Sequence, residues 1–479
     1  MKKLVLLLTL ISSICQGQKI YQPGEVESMA EPAGSGALLN EFISSNVQVP
    51  FRSSYQGMNA RVFIRGVVET DGSMSAIEII KGQDSLCNLE AIRVMGLYKA
   101  WKPGRVKNEP VRQYVNYSIP FKAATVADFD STAWAIIMYY DSKFRKLDQP
   151  AGAEYRSVLP LDEDGNVKAD IVYHQQMGRG KWKEVSRIPF KKEEFWYSHT
   201  ETPAKDSIAA FRLSVEDNSQ LNYVPVKVFQ KNGKLLEYRR FTENRKPDLI
   251  KSYYLSGLLR ERDIFSDSTC MNTKWFPNGQ LASLVQKSAG SGEFSEELQI
   301  IQAFKPNGEV QVKEGNGWWR IVGNHGKYVE QGEVQMGKRH GKWIGKLADS
   351  TVFYKELYDK GKLLEGVSYK DGKERTYQEK MIQPVFQGGM PAFYQFLGQN
   401  IVYPADAARK GVSGRVMISF VVCEDGSLCD YKLEKGVKSD IDQEALRVVQ
   451  KMDGKWNPGV LRGEKVRVKY NLPVNFQLQ

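Results

Sequence analysis

The most regular alternation of apolar and polar positions lies near the end of the chain. Val416, Ile418, Phe420 and Val422 occupy every second position, with Met417, Ser419 and Val421 between them. A period of two puts one set on each face of an extended segment, so a strand is expected. Asp425-Gly426 follows, and its glycine is free to take the positive φ of a tight reversal; Leu428, Tyr431 and Leu433 then carry a returning strand. The period changes at Ile441, Ala445, Val448, Val449 and Met452, which form one helical stripe, so a helix should lie across the hairpin. Trp456, Pro458 and Gly459 interrupt the pattern, and alternation returns over residues 465–476 with Val466, Val468 and Tyr470 on one face. The expected order is strand, strand, helix, strand.

The same plan is written near the beginning, over residues 37–122. Phe42, Asn46 and Pro50 answer Phe396, Asn400 and Pro404, and Arg61-Val62 answers Arg415-Val416. Asp71-Gly72-Ser73 matches Asp425-Gly426-Ser427, and Ala91-Ile92-Arg93-Val94 matches Ala445-Leu446-Arg447-Val448. Trp101-Lys102-Pro103-Gly104 repeats the Trp456 corner, and Val111-Arg112 repeats Val466-Arg467. Between the two lies a region with few helical stripes and many turns. Asn232-Gly233 separates alternating runs and is a strong hairpin signal, and related units recur at Ser256-Gly257, Asn278-Gly279 and Asn307-Gly308. A lone hairpin is marginal in water, so these must stack and bury an aromatic face, which predicts an extended antiparallel ladder. Asp162-Glu163-Asp164-Gly165-Asn166 reads as an earlier turn of this kind; residues 126–148 show no pattern that places them.

Several motifs of the C-terminal stretch, taken together and in order, carry a family resemblance. They are Gly388-Gly389 before a helix with Phe393 and Phe396, Tyr403-Pro404, Gly414-Arg415-Val416, Asp425-Gly426, the Asp442/Ala445/Leu446 helix, Trp456-Asn457-Pro458-Gly459 and Val466-Arg467-Val468. This stretch closely resembles the C-terminal domain of TonB, the periplasmic part of an energy transducer that contacts outer-membrane receptors. The resemblance implies an α+β protein: a TonB C-terminal-like domain at 383–479 and a divergent copy at 33–122, each a three-stranded antiparallel sheet with packed helices. The copy departs from the pattern at Val49 for Tyr403 and Ala60 for Gly414, and the end of its last strand is expected to be shorter. The intervening region, residues 139–378, resembles MORN-type hairpin repeats, clearest at residues 332–343 and 358–369.

In the TonB family the last strand is where a receptor's N-terminal peptide docks by strand addition. Carried over, this implies that Val466, Arg467, Val468, Lys469 and Tyr470 line a binding edge, with Val111, Arg112, Gln113, Tyr114 and Val115 in the matching place of the first copy. The other reading, a plain core-forming edge strand, stays open. A transducer also needs an inner-membrane anchor and a Pro-rich spacer, and neither pattern is present, so the chain is expected to bind without pulling. The expected function is therefore non-enzymatic binding of outer-membrane receptor or other envelope-protein peptides in the periplasm, in association with TonB-dependent transport. The alternative is a structural envelope protein whose ends serve dimerisation, as a homo-oligomer, or peptidoglycan attachment.

Composition narrows this picture. The 479 residues are 42% hydrophobic and 26% charged, ordinary for packed domains. Lys2 and Lys3, the apolar run over residues 4–14 and the small residue Gly17 read as a cleaved secretory signal over residues 1–17. That run is too short to span a bilayer, and Ile14 before Cys15 does not suit lipoprotein processing. A net charge of +11, two of which leave with Lys2 and Lys3, favours anionic surfaces without naming a partner; scattered basic residues and export argue against nucleic acid. Cys87, Cys270, Cys423 and Cys429 are too few to build a disulfide scaffold. Cys423 and Cys429 flank a reversal, where a bridge and a pair of free thiols both remain open. His174, His199, His325 and His340 lack zinc-ligand spacing, and His340 is placed in a turn. The Asp162 cluster lacks the later glutamate of a calcium loop. No nucleophile elbow or phosphate loop is present, so neither catalysis nor a cofactor or metal is expected.

Overall fold

A computed structural model describes residues 19–123, 128–178, 180–199, 207–215, 224–242, 246–288, 298–323 and 326–477. The expected signal segment and His325 lie outside the described residues. The chain is mostly β, 53% strand and 15% helix. It divides into two compact units, residues 1–289 with 301–311, and residues 290–300 with 312–479.

In the first unit, the central strand Ala60–Val68 buries Val62, Ile64, Val67 and Val68. It pairs antiparallel with the return strand Met74–Lys81 on one side and the closing strand Glu109–Phe121 on the other. The helix Ser85–Leu97 starts at Asp84, whose carboxylate accepts from the Cys87 N–H at 2.7 Å, and lays Cys87, Ala91, Val94 and Met95 on the sheet. The reversal at Asp71-Gly72 backs onto the tryptophan corner: Gly72 has φ +81°, and a Cβ there would lie 2.4 Å from the Trp101 carbonyl oxygen. The turn and the corner are thus one device, and only glycine fits. The sheet is larger than the three antiparallel strands expected, because Ile20–Tyr21 joins the closing strand in parallel and Gly104–Val106 joins it antiparallel. The polar lead before Pro32 is therefore part of this module and not a connector.

The intervening strands follow the hairpin pattern. A sheet of short strands holds Ala135–Tyr140, Tyr155–Pro160, Ile171–Gln176 and Trp182–Ile188, so the stretch that no pattern placed supplies its first strands. Asp162 closes the reversal between two of them by accepting the Asp164 and Asn166 N–H groups at 3.0 and 2.7 Å. From Phe190–Tyr197 to Leu281–Ser288 each strand runs antiparallel to the next. The turns at Asn232-Gly233 and Asn278-Gly279 are three-residue loops with the glycine in the left-handed region and a register shift beside them. The N-terminal module rests on this sheet at the Asn278-Gly279 turn, at the Asn307-Gly308 turn and along the strand that follows Ser256-Gly257. Phe42 and Tyr98 cover Gly279, Asn46 Oδ1 accepts from the Leu259 N–H at 2.8 Å, and Arg262 donates to Ser45 and Glu41, each at 2.9 Å.

In the second unit, strands from Asn316–Gly323 to Lys373–Tyr377 continue antiparallel pairing strand by strand. Gly323, Gly332, Gly345 and Gly366 lie directly opposite Tyr328, Trp343, Tyr354 and Tyr377 of the following strand. Each ring occupies the space where the glycine's Cβ would be, at 2.1 to 2.4 Å. His340 lies on the strand Lys338–Leu347; the turn is Met336-Gly337.

The C-terminal module repeats the order read from the sequence. The central strand Gly414–Val422 buries Val416, Ile418, Phe420 and Val422 between the return strand Leu428–Lys435 and the closing strand Val468–Phe476. The helix Ser439–Gln450 covers them with Ile441, Ala445, Val448 and Val449. Bonds at the helix crossing recur in both modules. Arg93 donates to Glu90 and to the Asn46 carbonyl at 2.8 Å, and Arg447 to Glu444 and to the Asn400 carbonyl at 2.7 Å. Cys423 and Cys429 are joined by a disulfide. The three-residue loop 424–426 puts Cys423 opposite Ser427, so the bridge is diagonal. Cys87 and Cys270 are buried and free.

Gly426 repeats the Gly72 constraint, with φ +85° and a Cβ position 2.3 Å from the Trp456 carbonyl oxygen. Gly426→Ala is expected to cost about 1–3 kcal/mol, read as a lowered denaturant midpoint of the Trp456 fluorescence transition. An unchanged midpoint would show that the corner can give way.

Candidate binding edges

The closing strand Val468–Phe476 pairs along its whole length with the central strand, from Val468 opposite Val422 to Phe476 opposite Gly414. Among the described residues no strand pairs with its other side. Pro473, opposite Met417, fixes which groups face outward. Proline keeps its place in a paired strand only where its missing N–H points away from the neighbour. Alternation then turns the N–H and C=O of Lys469 and Asn471 to the open side and those of Val468, Tyr470 and Leu472 to the central strand. Pro473 also blunts the far half of the edge, since no incoming strand can accept a bond there. The usable stretch is thus the near half, around Val468–Leu472.

Side chains on this stretch divide by face. Tyr470 packs inward, with ring centroids 4.9 Å from Trp456 and 5.6 Å from Phe420. Lys469 is exposed and reaches Glu434 at 3.1 Å. The Ser419 hydroxyl, followed by Lys432 and Lys469, holds the Glu434 carboxyl down to about 2. Arg467 pairs with Asp430 at 2.7 Å. Val466 belongs to the corner hairpin, in Glu464–Val466, opposite Gly459.

The matching edge of the N-terminal module is occupied. Ile20 lies beside Arg112 and Tyr21 beside Gln113 as a parallel strand. Gln113 is buried, and its side-chain oxygen accepts from the Ala30 N–H at 2.6 Å, fixing the path of the lead. The lead is held further by Arg105, whose N–H donates to the Ser28 carbonyl at 2.8 Å and whose carbonyl accepts from the Glu27 N–H at 2.9 Å. Arg112 binds Glu69 at 2.7 Å, a hydrogen bond that lowers the Glu69 carboxyl below its usual range. Tyr114 lies opposite Val67 under Arg65, and Val115 lies opposite Gly66.

The C-terminal module lacks this arrangement for a reason visible in the chain. Its corner strand Val385–Phe386 pairs with Trp456–Asn457 as Glu31–Pro32 pairs with Trp101–Lys102. The residue before it is Pro384, which has no N–H to donate, and Val468 stands where the first module has Gln113. Counting back from that corner, the place of Ile20 and Tyr21 falls on Glu374 and Arg375, which are bonded into the hairpin ladder as part of Lys373–Tyr377. The chain that would cover the edge is used elsewhere.

The module is fixed to the ladder by a buried ionic cluster. Arg462, at the tip of the corner hairpin, donates to Glu356 at 2.9 Å and Glu330 at 3.1 Å and lies 3.6 Å above the Tyr354 ring. Arg339 binds Glu330 at 3.0 Å, and the Tyr358 and Tyr377 hydroxyls donate to Glu356 at 2.8 and 2.9 Å. Burial raises the Glu330 carboxyl, but Arg339, Lys380 and Arg462 prevail and hold it at about 2. Burial, then Arg339 and Arg462, push the Lys380 ammonium down to about 7. Periodicity gives no sign of Arg462, of the Gln113–Ala30 bond or of the Ile20-Tyr21 strand; the one available signal is the difference between Gln113/Ala30 and Val468/Pro384.

Among the described residues, the closing strand of this small helix-covered sheet leaves one side without a paired strand. Residues 399–478 match the family model described as the Gram-negative bacterial TonB protein C-terminal, which supports a domain of that kind in this part of the chain. Two solution structures of the Helicobacter pylori TonB C-terminal domain are similar. One is 22% identical, covering 18% of this chain and 77% of that one at a TM-score of 0.15. The other is 20% identical, covering 18% and 91% at a TM-score of 0.16. No curated protein matches the chain. TonB C-terminal domains are not enzymes and interact with envelope proteins such as outer-membrane receptors. No helix among the described residues is long and apolar enough to cross a membrane.

Removing one member of the cluster strands the others in a poor solvent for charge. Arg462→Ala should therefore destabilise the C-terminal unit by about 3–5 kcal/mol in denaturant titration, and adding Glu330→Gln and Glu356→Gln should recover part of the loss. Lys380 has a folded pKa of about 7, below its ordinary 10.5. The unfolded chain binds the extra proton between those values, so stability should rise with pH from 7 towards 10. Lys380→Met should flatten that slope; a slope that persists assigns it to another group.

Proposed function

We propose that this is a non-enzymatic periplasmic protein that captures an extended peptide of an outer-membrane receptor or other envelope protein by adding it as a strand to its C-terminal edge. Residues 1–17 are its export signal, 383–479 the binding domain, 139–378 a MORN-type spacer and 33–122 a second, divergent TonB-like domain. Val468, Lys469 and Tyr470 form the stretch where the peptide lies, with Arg467 and Val466 at its entrance. Lys469 and Asn471 supply the main-chain groups that bond it, while exposed Lys469 and Arg467 favour acidic side chains in the peptide.

The observation that carries this reading is the contrast between two similarly built sheets. A strand lies along the closing strand at Arg112-Gln113, and none lies along Val468–Phe476 among the described residues. The fold accommodates an added strand at that position, and the second position is vacant because the chain before it is committed to the ladder.

The test is capture of peptides from the N-terminal segments of outer-membrane receptors on an array, with the full exported chain as probe. Lys469→Pro and Asn471→Pro each remove one outward donor and should lower capture by about tenfold or more, the loss of one or two main-chain bonds. Asn475→Pro, beyond the Pro473 block, should leave it within about twofold. Equal capture by all three variants would rule out strand addition on this edge.

A further inference from the structure

We infer that the N-terminal module carries a second strand-addition site, at Arg112–Val115 (residues 112–115), which the chain's own lead, residues 19–22, holds shut as an intramolecular ligand. The inference takes strand addition from the proposed function but concerns a different edge, so each can fail without the other.

The geometry begins with the closing strand Glu109–Phe121. Pro120 lies opposite Arg61 within an unbroken pairing, so its nitrogen faces away from the central strand. By alternation Tyr114 and Arg112 also turn their N–H and C=O groups outward, the same orientation as Lys469 and Asn471 in the C-terminal module. Ile20 and Tyr21 lie along those groups in parallel. What holds them is small compared with what holds the sheet. The lead contributes two residue pairs, whereas the central strand contributes nine. Neither Ile20 nor Tyr21 is buried, and neither belongs to the core that includes Phe42, Val62 and Trp101. The firm anchor is further along, where Gln113 takes the Ala30 N–H and Arg105 brackets Ser28. Those bonds stay in place if residues 19–22 peel away, so the lead is a strap hinged near Glu27, not a strand on which the fold depends.

The strap also describes what the site accepts. An apolar β-branched residue and an aromatic lie side by side on the edge, with Lys19 stacked 4.3 Å over the Tyr21 ring and bound to Glu25 at 3.3 Å. The proline at position 23 ends the extended run. The occupant that fits is a short extended peptide with a Lys-Ile-Tyr-like pattern before a turn, either this lead or an envelope-protein segment that resembles it and displaces it.

The experiment uses the exported chain and a fluorescent synthetic peptide of residues 19–26. In the variant Ile20→Pro/Tyr21→Pro both strap donors are gone, whichever of them bonds the edge. This variant should bind about one labelled peptide per chain, while the unaltered chain binds at least tenfold more weakly because its strap competes. Adding Tyr114→Pro should abolish the binding, and adding Lys469→Pro should leave it unchanged. Amide exchange at Tyr114 should quicken by about tenfold or more in the strap variant and slow again on adding peptide. A folded strap variant that binds no peptide overturns the inference. So does binding that survives Tyr114→Pro and is lost with Lys469→Pro, which would put the peptide on the C-terminal edge. Loss of the Trp101 near-ultraviolet signal in the strap variant would make the lead a structural strand and overturn it equally.

Discussion

A strand has two sides, and every backbone N–H and C=O along each must find a partner in protein or in water. The closing strands of both modules spend one side on the central strand. The fate of the second side governs the rest of the architecture. In the first module it is met by chain that precedes the corner; in the last module the corresponding chain is already bonded to a hairpin. The same local fold therefore ends with a covered edge at one end of the sequence and an exposed one at the other, and the difference follows from connectivity, not from the sheet itself.

An exposed strand margin is useful only if the sheet behind it is held still. Arg462 does this for the C-terminal module by reaching from the corner hairpin into the ladder, between Glu330 and Glu356 and over Tyr354. Two carboxylates, two guanidiniums, Lys380 and three tyrosine rings come together with little water. Such a cluster contributes little net stability over an apolar seam, but it tolerates only one arrangement of its members. Geometry is what it secures. The Gly72/Trp101 and Gly426/Trp456 contacts do the same within each module, tying the reversal to the corner through a carbonyl that leaves no room for a side chain.

Much of this was legible in the sequence. Alternation at Val416, Ile418, Phe420 and Val422, the Ile441 stripe and the tryptophan corner gave strand, strand, helix and strand in order, because burial on one face imposes a period that residues display directly. The hairpin ladder was legible through its turn glycines. Other features left no such trace. Ile20-Tyr21 is a two-residue strand, too short to show a period, and its pairing is parallel and distant in sequence. Arg462 reads as an ordinary turn residue, since nothing local says that its side chain meets carboxylates from strands far upstream. Gln113 differs from Val468 by a polar group whose meaning appears only beside Ala30 and Pro384. Long-range polar pairings of this kind are specified by two or three positions each, below what periodicity can detect.

The glycine and aromatic pairs of the second unit have a directional consequence. In each of the four, the glycine belongs to the earlier strand and the ring to the later one. The stack consequently has a polarity, like a row of roof tiles each lapping the one laid before it. A tile taken out of the middle exposes one seat and orphans one ring. Length can therefore change without repacking only when whole lapped units enter or leave together.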